Sequence, residues 1–592
     1  MADIVSGSLI TRNYKNFRGV DFSNRKDEVS LYRSPDALNV WKNYKSSNGR
    51  CIETRPDVEL IDTFDNSIFG LFFYTINTVD HMIVHSGTSL YDIDMSTNER
   101  KLIKQDGMKP AKSQAFICNN ILFIKDGLNY LEYDGETLKE VEGTIPVTFI
   151  NCKPEGGGVA YQDHNMLSAK EQNWFCADGK AVDYYLNDKN ITSVDKVWIV
   201  GASGEDILTK DYTVDTVKGK VTFTTAPKEP NTVGQDNVKI EYTKKSQSKA
   251  ERIKKCSLLT VFDDRIFFSG NVDYPNYIFH CEFNGISGLA DPRYISDTDY
   301  YPEGIDTAAV KAMVAGNNAL WVLKEPSQAN TSIFYHIPND IYNENIGETQ
   351  RGYPSTHSSI ATGCVGGAIN FMDDIVFFSD RGMEGLASTD VTTEQLLAHR
   401  SDLIDSKLLN EANYKNMILE EWEGYLLVIM DNHIYLADSH PDTKYEWYYW
   451  ELDVKVTCTS VKDGVLYLCG EEKVKENDVY VTKYRVYTLT KTNAAVESYW
   501  TTLEDEFKYP QYYKSTNKKG CVVDCNGNIT ISVKTDNKAF EKIDTFKNTK
   551  GYIICKKKKK KWKSIQYKFS STKPFELYSA TLESYVLSYV KR

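Results

Sequence analysis

Long apolar runs are missing from this chain: nothing in its 592 residues approaches the roughly 20 consecutive apolar residues of a membrane-spanning helix. The opening, Met1-Ala2-Asp3-Ile4-Val5-Ser6, has no basic segment followed by an apolar one, so the expected setting is cytosol-like and the expected partners include no membrane. Paired cysteines are missing too. Twelve are scattered from Cys51 to Cys555 with no C-x-x-C spacing, which fits buried free thiols better than a disulfide framework or a zinc site. Cys521 and Cys525 come closest to a metal pair, but they lie in a strand-like stretch with no nearby histidine.

An excess of positive charge is absent as well. A net charge of −12 argues against a surface that grips nucleic acid, because phosphate binding draws on clustered Lys and Arg. It leaves room for DNA as cargo, since a conduit for DNA should repel phosphate.

No phosphate-binding G-x-x-x-x-G-K-[ST] loop, nucleophile elbow or H-E-x-x-H helix occurs, and Gly156-Gly157-Gly158 lacks the flanking strand and helix of a phosphate loop. The nine histidines are dispersed. Only His81 with His85 and His433 with His440 are near pairs, and neither has a third ligand close in sequence. Asp263-Asp264 and Asp373-Asp374 could be read as the paired carboxylates of a glycosidase, but adjacent aspartates between two apolar runs are better explained as turn residues. The Ser-x-Asp-x-Gly-x-Thr-Trp boxes of sialidase propellers are not in these stretches. The expectation is therefore a protein that is not an enzyme, with no catalytic residue, cofactor or metal.

What is abundant is aromatic and β-favouring. Tyr (39) and Phe (25) dominate a 12% aromatic share within 41% hydrophobic residues, a composition suited to pleated, half-buried surfaces. One unit recurs: an apolar run, a tight turn of Asp, Asn or Gly, and a second apolar run, the pattern of a β-hairpin. It occupies residues 82–91, 116–124, 259–268, 313–322, 369–378, 426–435 and 458–467. Apart from one insertion, the spacing of roughly 40 to 55 residues is that of a propeller blade. The fold expected is mainly β: a β-propeller of about six or seven blades with an inserted small β-sandwich domain and a C-terminal β segment.

The boundaries follow. Residues 1–154 hold an N-terminal closure segment and the first blades, with residues 1–60 able to supply the strand that closes the ring. Residues 155–248 form the inserted domain, 249–497 the remaining blades and 498–592 the C-terminal segment. The best helix candidate runs from about Glu394 to Asn410, after Thr393.

Four stretches carry a resemblance. The first is Asn16-Phe17-Arg18-Gly19-Val20-Asp21-Phe22-Ser23, followed by Ser34-Pro35-Asp36-Ala37-Leu38-Asn39-Val40-Trp41 and Glu53-Thr54-Arg55-Pro56. The second, in the insertion, is Asp211-Tyr212-Thr213-Val214-Asp215 with Gly219-Lys220-Val221-Thr222-Phe223 and Ala226-Pro227. The third runs from Arg265 through Gly270 to Asn276 and on to Trp321-Val322-Leu323-Lys324-Glu325. The fourth is a basic strand before Pro574-Phe575-Glu576-Leu577, Ser584-Tyr585 and the final Lys591-Arg592.

In this order they resemble the tail nozzle, tail hub or head-completion proteins of short-tailed bacteriophages and related Firmicutes prophages. The resemblance implies a structural virion protein assembled in the host cytoplasm. It implies a homo-oligomeric ring, often of six copies, mounted below the portal and adaptor proteins, whose channel retains genomic double-stranded DNA and then conducts it without sequence specificity. No host-binding fibre domain or lytic domain is evident. Two other classes stay open: a receptor- or carbohydrate-binding tail-tip module, and a propeller glycosidase or lyase.

The sharpest charge anomaly is Lys556-Lys557-Lys558-Lys559-Lys560-Lys561, followed by Trp562 and Lys563. On a strand, alternate lysines would face opposite sides. The run reads as a solvated edge strand that blocks stray pairing, as a contact with an acidic neighbouring subunit, or as a phosphate contact on a channel wall.

Overall fold

A computed structural model of the chain describes residues 7–46, 51–201, 203–245, 249–282, 290–327, 332–343, 348–358, 360–388, 395–438 and 445–589. It is almost wholly β, and it falls into two compact units, residues 1–73 with 365–592 and residues 74–364.

All seven predicted hairpins are present, six within four-stranded antiparallel sheets and that of residues 426–435 at one end of a fourteen-stranded sheet, so the fold class is mainly β and propeller-like in its repeated four-stranded units. The local reason lies in the turns. Two-residue connections match strand twist when both central residues have positive φ, a conformation that Asn, Asp and Gly tolerate. Asn119-Asn120 (φ 49° and 59°), Asp263-Asp264 (50° and 59°), Asn317-Asn318 (52° and 57°) and Asp463-Gly464 (51° and 76°) all adopt it. In the fifth hairpin the turn falls one residue earlier than the paired aspartates suggest, on Met372 (49°) and Asp373 (63°), and Asp374 opens the next strand.

In the unit of residues 74–364, one sheet comprises Gln114–Cys118, Ile121–Lys125, Tyr130–Tyr133 and Leu138–Glu140. Another comprises Leu258–Phe262, Arg265–Ser269, Tyr277–His280 and Tyr300–Pro302, and a third Val310–Gly316, Ala319–Lys324, Ile333–His336 and Ser355–His357. The strand Ile68–Ile76 contains the boundary between the units and heads the sheet completed by Val79–Ser86, Ser89–Asp94 and Arg100–Lys104. Between Leu138–Glu140 and Leu258–Phe262 the chain carries strands of its own from Val147–Cys152 to Val238–Thr243, in a six-stranded and a three-stranded sheet over a core that includes Phe175, Tyr184, Phe223 and Tyr242.

The other unit contributes three sheets. Ala368–Phe371, Asp374–Ser379, Gly382–Ser388 and Gln395–His399 make one, and Ile418–Trp422, Tyr425–Met430, His433–Asp438 and Glu446–Glu451 are four consecutive strands at one end of a fourteen-stranded sheet. The last takes Lys455–Lys462, Val465–Glu476 and Val479–Asn493 from one part of the chain and its fourth strand, Pro56–Phe64, from some 420 residues earlier, with Tyr487 opposite Leu60. This strand lies at the end of the segment expected to provide closure.

Beyond Ser498 the chain builds a platform around the 24-residue strand Tyr512–Thr535, which pairs with Glu541–Cys555, Ile565–Ser571 and Phe575–Tyr589. N-terminal residues stitch it to the propeller sheets. Leu9–Tyr14 and Ile52–Thr54 pair with Phe575–Tyr589, Ala37–Leu38 with Ser498–Thr501, and Val40 with Tyr449. Below this seam Trp41 stacks on Trp422 (5.5 Å between ring centres) and meets Trp450 edge-on.

Residues 395–410 do not form the helix expected of them, and Glu394 lies outside the described residues. Gln395–His399 is the fourth strand of its sheet, and helix is confined to Asp405–Leu408. Pairing with Gly382–Ser388 overrides the local spacing of apolar residues. Among the described residues no helix is long and apolar enough to cross a membrane.

Candidate functional site

The lysine run sits where the platform strand Glu541–Cys555 ends, and most of it is not a strand. Lys556 to Lys559 form an irregular connection, and only Lys560–Trp562 pairs, with Lys514 and Ser515. The reading of six alternating strand lysines is corrected by this geometry. The cause is local anchoring. The Thr516 hydroxyl accepts from the Lys559 N–H (2.8 Å), the Thr516 N–H donates to the Lys559 carbonyl (3.0 Å), and Lys561 turns the backbone at φ 54°. Trp562 is then fully buried against Phe507.

Lysines from the run close on one carboxylate. Lys557 donates to Glu541 at 3.0 Å and Lys559 donates to its other oxygen, and these two hydrogen bonds hold the Glu541 carboxyl down to about 2. Among the described residues no carboxylate pairs with Lys556, Lys558, Lys560 or Lys561, all of which are exposed. Lys514 beneath them is different in kind: it is buried, donates to the carbonyls of Lys563 (2.7 Å) and Tyr512 (3.1 Å), and burial pushes it down to about 8.

The strand Glu541–Cys555 hydrogen-bonds to Tyr512–Thr535 on one side and ends its branch of the sheet. It exposes Tyr552 (75%) and Ile554 (43%), with Phe540 just before it, and adds Lys542, Lys547 and Lys550 at the surface. The result is a sheet edge with apolar and aromatic side chains set among unpaired ammonium groups. Sequence reading found the lysines and missed these apolar partners. The available signal was Gly551-Tyr552-Ile553-Ile554, in which apolar residues fall on both faces of one strand.

The paired aspartates take structural roles. Asp263 accepts from Arg351 (2.8 Å) and Tyr353 (2.7 Å), and the Arg351 hydrogen bond holds its carboxyl below the usual range. Asp374 accepts from Arg400 (2.9 Å) and from the Tyr445 hydroxyl (3.0 Å). His81 and His85 are engaged separately, His81 with Asp92 (2.7 Å) and His85 with Ser113 (3.0 Å) and the Gly87 carbonyl (3.1 Å). His433 pairs with Glu411, and His440 lies outside the described residues. Every cysteine is a free thiol, ten of the twelve buried; Cys521 stands opposite Cys555 on the paired strand.

No family model matches the chain, and no curated protein does. Among solved structures, an exo-β-1,3-galactanase from Phanerochaete chrysosporium in complex with β-1,3-galactotriose aligns at 7% identity and a TM-score of 0.22, covering 55% of this chain and 94% of its own. BBS1N, in a complex with ARL6DN, aligns at 8% identity and a TM-score of 0.24, covering 75% of this chain and 99% of its own. At these scores neither bears on what the chain does, and the fold description rests on its own strand pairing.

Proposed function

We propose that this chain is a structural component of a bacteriophage tail, a nozzle-type subunit that assembles into a ring and lets genomic DNA pass. The observation that carries the reading is the cationic, aromatic edge of the C-terminal platform on a chain whose net charge is −12. Such an edge is complementary to an acidic surface on another copy. A contact between two unlike patches is heterologous, and it ends in a ring when the rotation closes. Exposed Tyr552 and Ile554 would supply the desolvated centre of the contact, and the unpaired lysines its charged rim. The role is mechanical and electrostatic: an acidic lumen repels phosphate, and loops from each copy narrow the passage until the particle engages a host. Portal and adaptor proteins are the expected neighbours.

The test pairs native mass spectrometry of the purified chain with immunogold electron microscopy of particles from the source culture. A closed oligomer, with gold at the capsid-proximal end of the tail, is the expected result. A monomer at all concentrations, together with unlabelled particles, would sink the proposal.

A second reading is favoured by one observation in the inserted domain. A groove of about 900 Å³ there is lined by polar groups including Thr209, Asp211, Thr224, Glu229 and Asn237. It suits a hydroxyl-rich ligand, as in a carbohydrate-reading tail-tip module. Saccharide binding by a chain that stays monomeric would favour it over the nozzle.

A further inference from the structure

Of the nine tryptophans in the chain, seven are buried. The other two, Trp174 and Trp198, stand partly exposed on one face of the six-stranded sheet in the inserted domain. Three adjacent strands of that sheet, Lys170–Phe175, Val238–Thr243 and Ser193–Val200, place both indoles opposite a single residue, Lys239. The two residues therefore share one cross-strand row, separated by two strand spacings or about 10 Å, with Lys239 between them. The row continues to exposed Leu208, opposite Trp198 on the strand Asp206–Thr209. Alternation sends Val197, Val238 and Ile240 to the other face, where they are fully buried in the core of the domain. The tryptophans are thus set on the side of the sheet that does not build this core.

Polar side chains surround the two rings. Gln172 Oε1 accepts from the Trp174 indole N–H (3.0 Å), and Lys239 lies 4.6 Å from the centre of the same ring while donating to Asp206 (2.9 Å). Lys196 lies 5.7 Å from the Trp198 ring centre. In the neighbouring row Glu241 stands between Gln172 and Lys196. One Glu241 oxygen accepts from Gln172 Nε2 (3.3 Å). The other, Oε1, is buried without a hydrogen-bond partner, and the ammonium of Lys196, a side chain 54% exposed, stands 4.0 Å from it. A buried acceptor left in this state calls for a donor, and a hydroxyl that displaces the Lys196 side chain would supply one.

The chemistry of the face selects among occupants. Nucleic acid needs an excess of cations, but the two ammonium groups here are matched by the carboxylates of Glu241 and Asp206. The centre of a protein contact is depleted of charge, whereas here a lysine sits between the rings and a carboxylate in the next row. A neutral sugar suits both features. Its C–H groups stack on the negative face of an indole, and its hydroxyls donate to carboxylate or amide oxygens and accept from ammonium groups.

We propose that the face bearing Trp174 and Trp198 binds a neutral oligosaccharide, the two indoles stacking on separate sugar residues of one chain while Gln172, Lys239 and Glu241 meet the hydroxyls. None of these residues lines the groove around Asp211 and Glu229. The site lies wholly within the inserted domain and needs no part of the nozzle reading.

The test is isothermal titration calorimetry of the full chain with three neutral hexasaccharides, of β-1,4-glucose, β-1,4-N-acetylglucosamine and α-1,4-glucose. At least one is expected to bind, with affinity weakened at least about tenfold in Trp174→Ala and in Trp198→Ala and unchanged in the groove variants Asp211→Ala and Glu229→Ala. In the unaltered chain, saturating sugar should also slow the oxidation of Trp174 and Trp198 by N-bromosuccinimide, followed by peptide mass spectrometry. That measurement decides the matter should an alanine variant fail to fold. Absence of binding by all three sugars would overturn the site, as would affinity and oxidation indifferent to both tryptophans, or affinity lost only in the groove variants. Alanine variants that lose self-association but not sugar binding would make the face a protein contact instead. A monomer that binds sugar through these tryptophans would count against the nozzle and leave this site standing.

Discussion

Gly19 shows how much of this molecule hangs on single backbone positions. Its φ of +79° is one that side-chain-bearing residues rarely adopt, and a Cβ there would collide with the Trp447 carbonyl oxygen, which accepts the N–H of the next residue, Val20, at 2.7 Å. Gly19→Ala should therefore cost at least about 2 kcal/mol through backbone strain and overpacking, read as an earlier melting transition. Asn39 does comparable work with its side chain: at φ 55° it donates to the Glu497 carbonyl (2.9 Å) and accepts from the Glu451 N–H (2.8 Å) and Arg55 (3.2 Å). Titratable residues respond to pH in a definite direction. The Glu411 hydrogen bond raises His433 above its ordinary 6.5, so its contribution to stability is fully present below pH 6.5 and fades as pH rises through the folded-state value. For Glu411, burial pushes upward, but the hydrogen bonds from His433 and Tyr435 outweigh it and hold the carboxyl below its ordinary 4.5, so its contribution is present above pH 4.5 and fades as pH falls. The pair is strongest between those values. His433→Gln should lower the melting temperature more at about pH 6 than at about pH 8.5, and an equal loss at both would contradict the assignment.

Among elements, the strand Pro56–Phe64 has the largest leverage, because it completes a sheet whose other three strands lie in residues 455–493. Glu59 and Leu60 stand opposite Thr488 and Tyr487 with no bulge between them, and consecutive residues of an antiparallel strand point their N–H groups in opposite directions. Replacing both with proline must remove one ladder donor whichever way the strand faces. The expected cost is about 3 kcal/mol or more, with the bared edge of Val479–Asn493 driving association visible by size-exclusion chromatography. Unchanged melting and a single sharp peak would show that closure does not depend on this strand. The hairpins were legible in the sequence because turn chemistry and period-2 alternation are local properties, carried by doublets such as Asn119-Asn120 and Asn317-Asn318. The segment 394–410 was misread because its apolar spacing fits a helix, while the deciding partner, Gly382–Ser388, acts through the sheet ladder.

At the scale of the whole molecule, charge is the lever on the proposed assembly. If unlike patches hold copies together, reversing Lys556, Lys558 and Lys560 to Glu should shift the oligomer toward monomer while leaving the melting temperature of the chain unchanged. Raising salt toward 1 M should do the same, as the screening length falls from about 8 Å to about 3 Å. Assembly indifferent to both would move the contact away from this edge. By itself the sequence determined the β class, the positions of the seven hairpins and the unusual charge of residues 556–561, because alternation, turn residues and composition need no distant partner to be read. Tertiary structure alone decided which N-terminal strand completes the last sheet and that the lysine run is mostly an irregular connection pinned by Thr516. Those outcomes depend on pairings and packing between residues far apart in the chain, whose energies exceed any local preference and leave no mark in a short window of sequence.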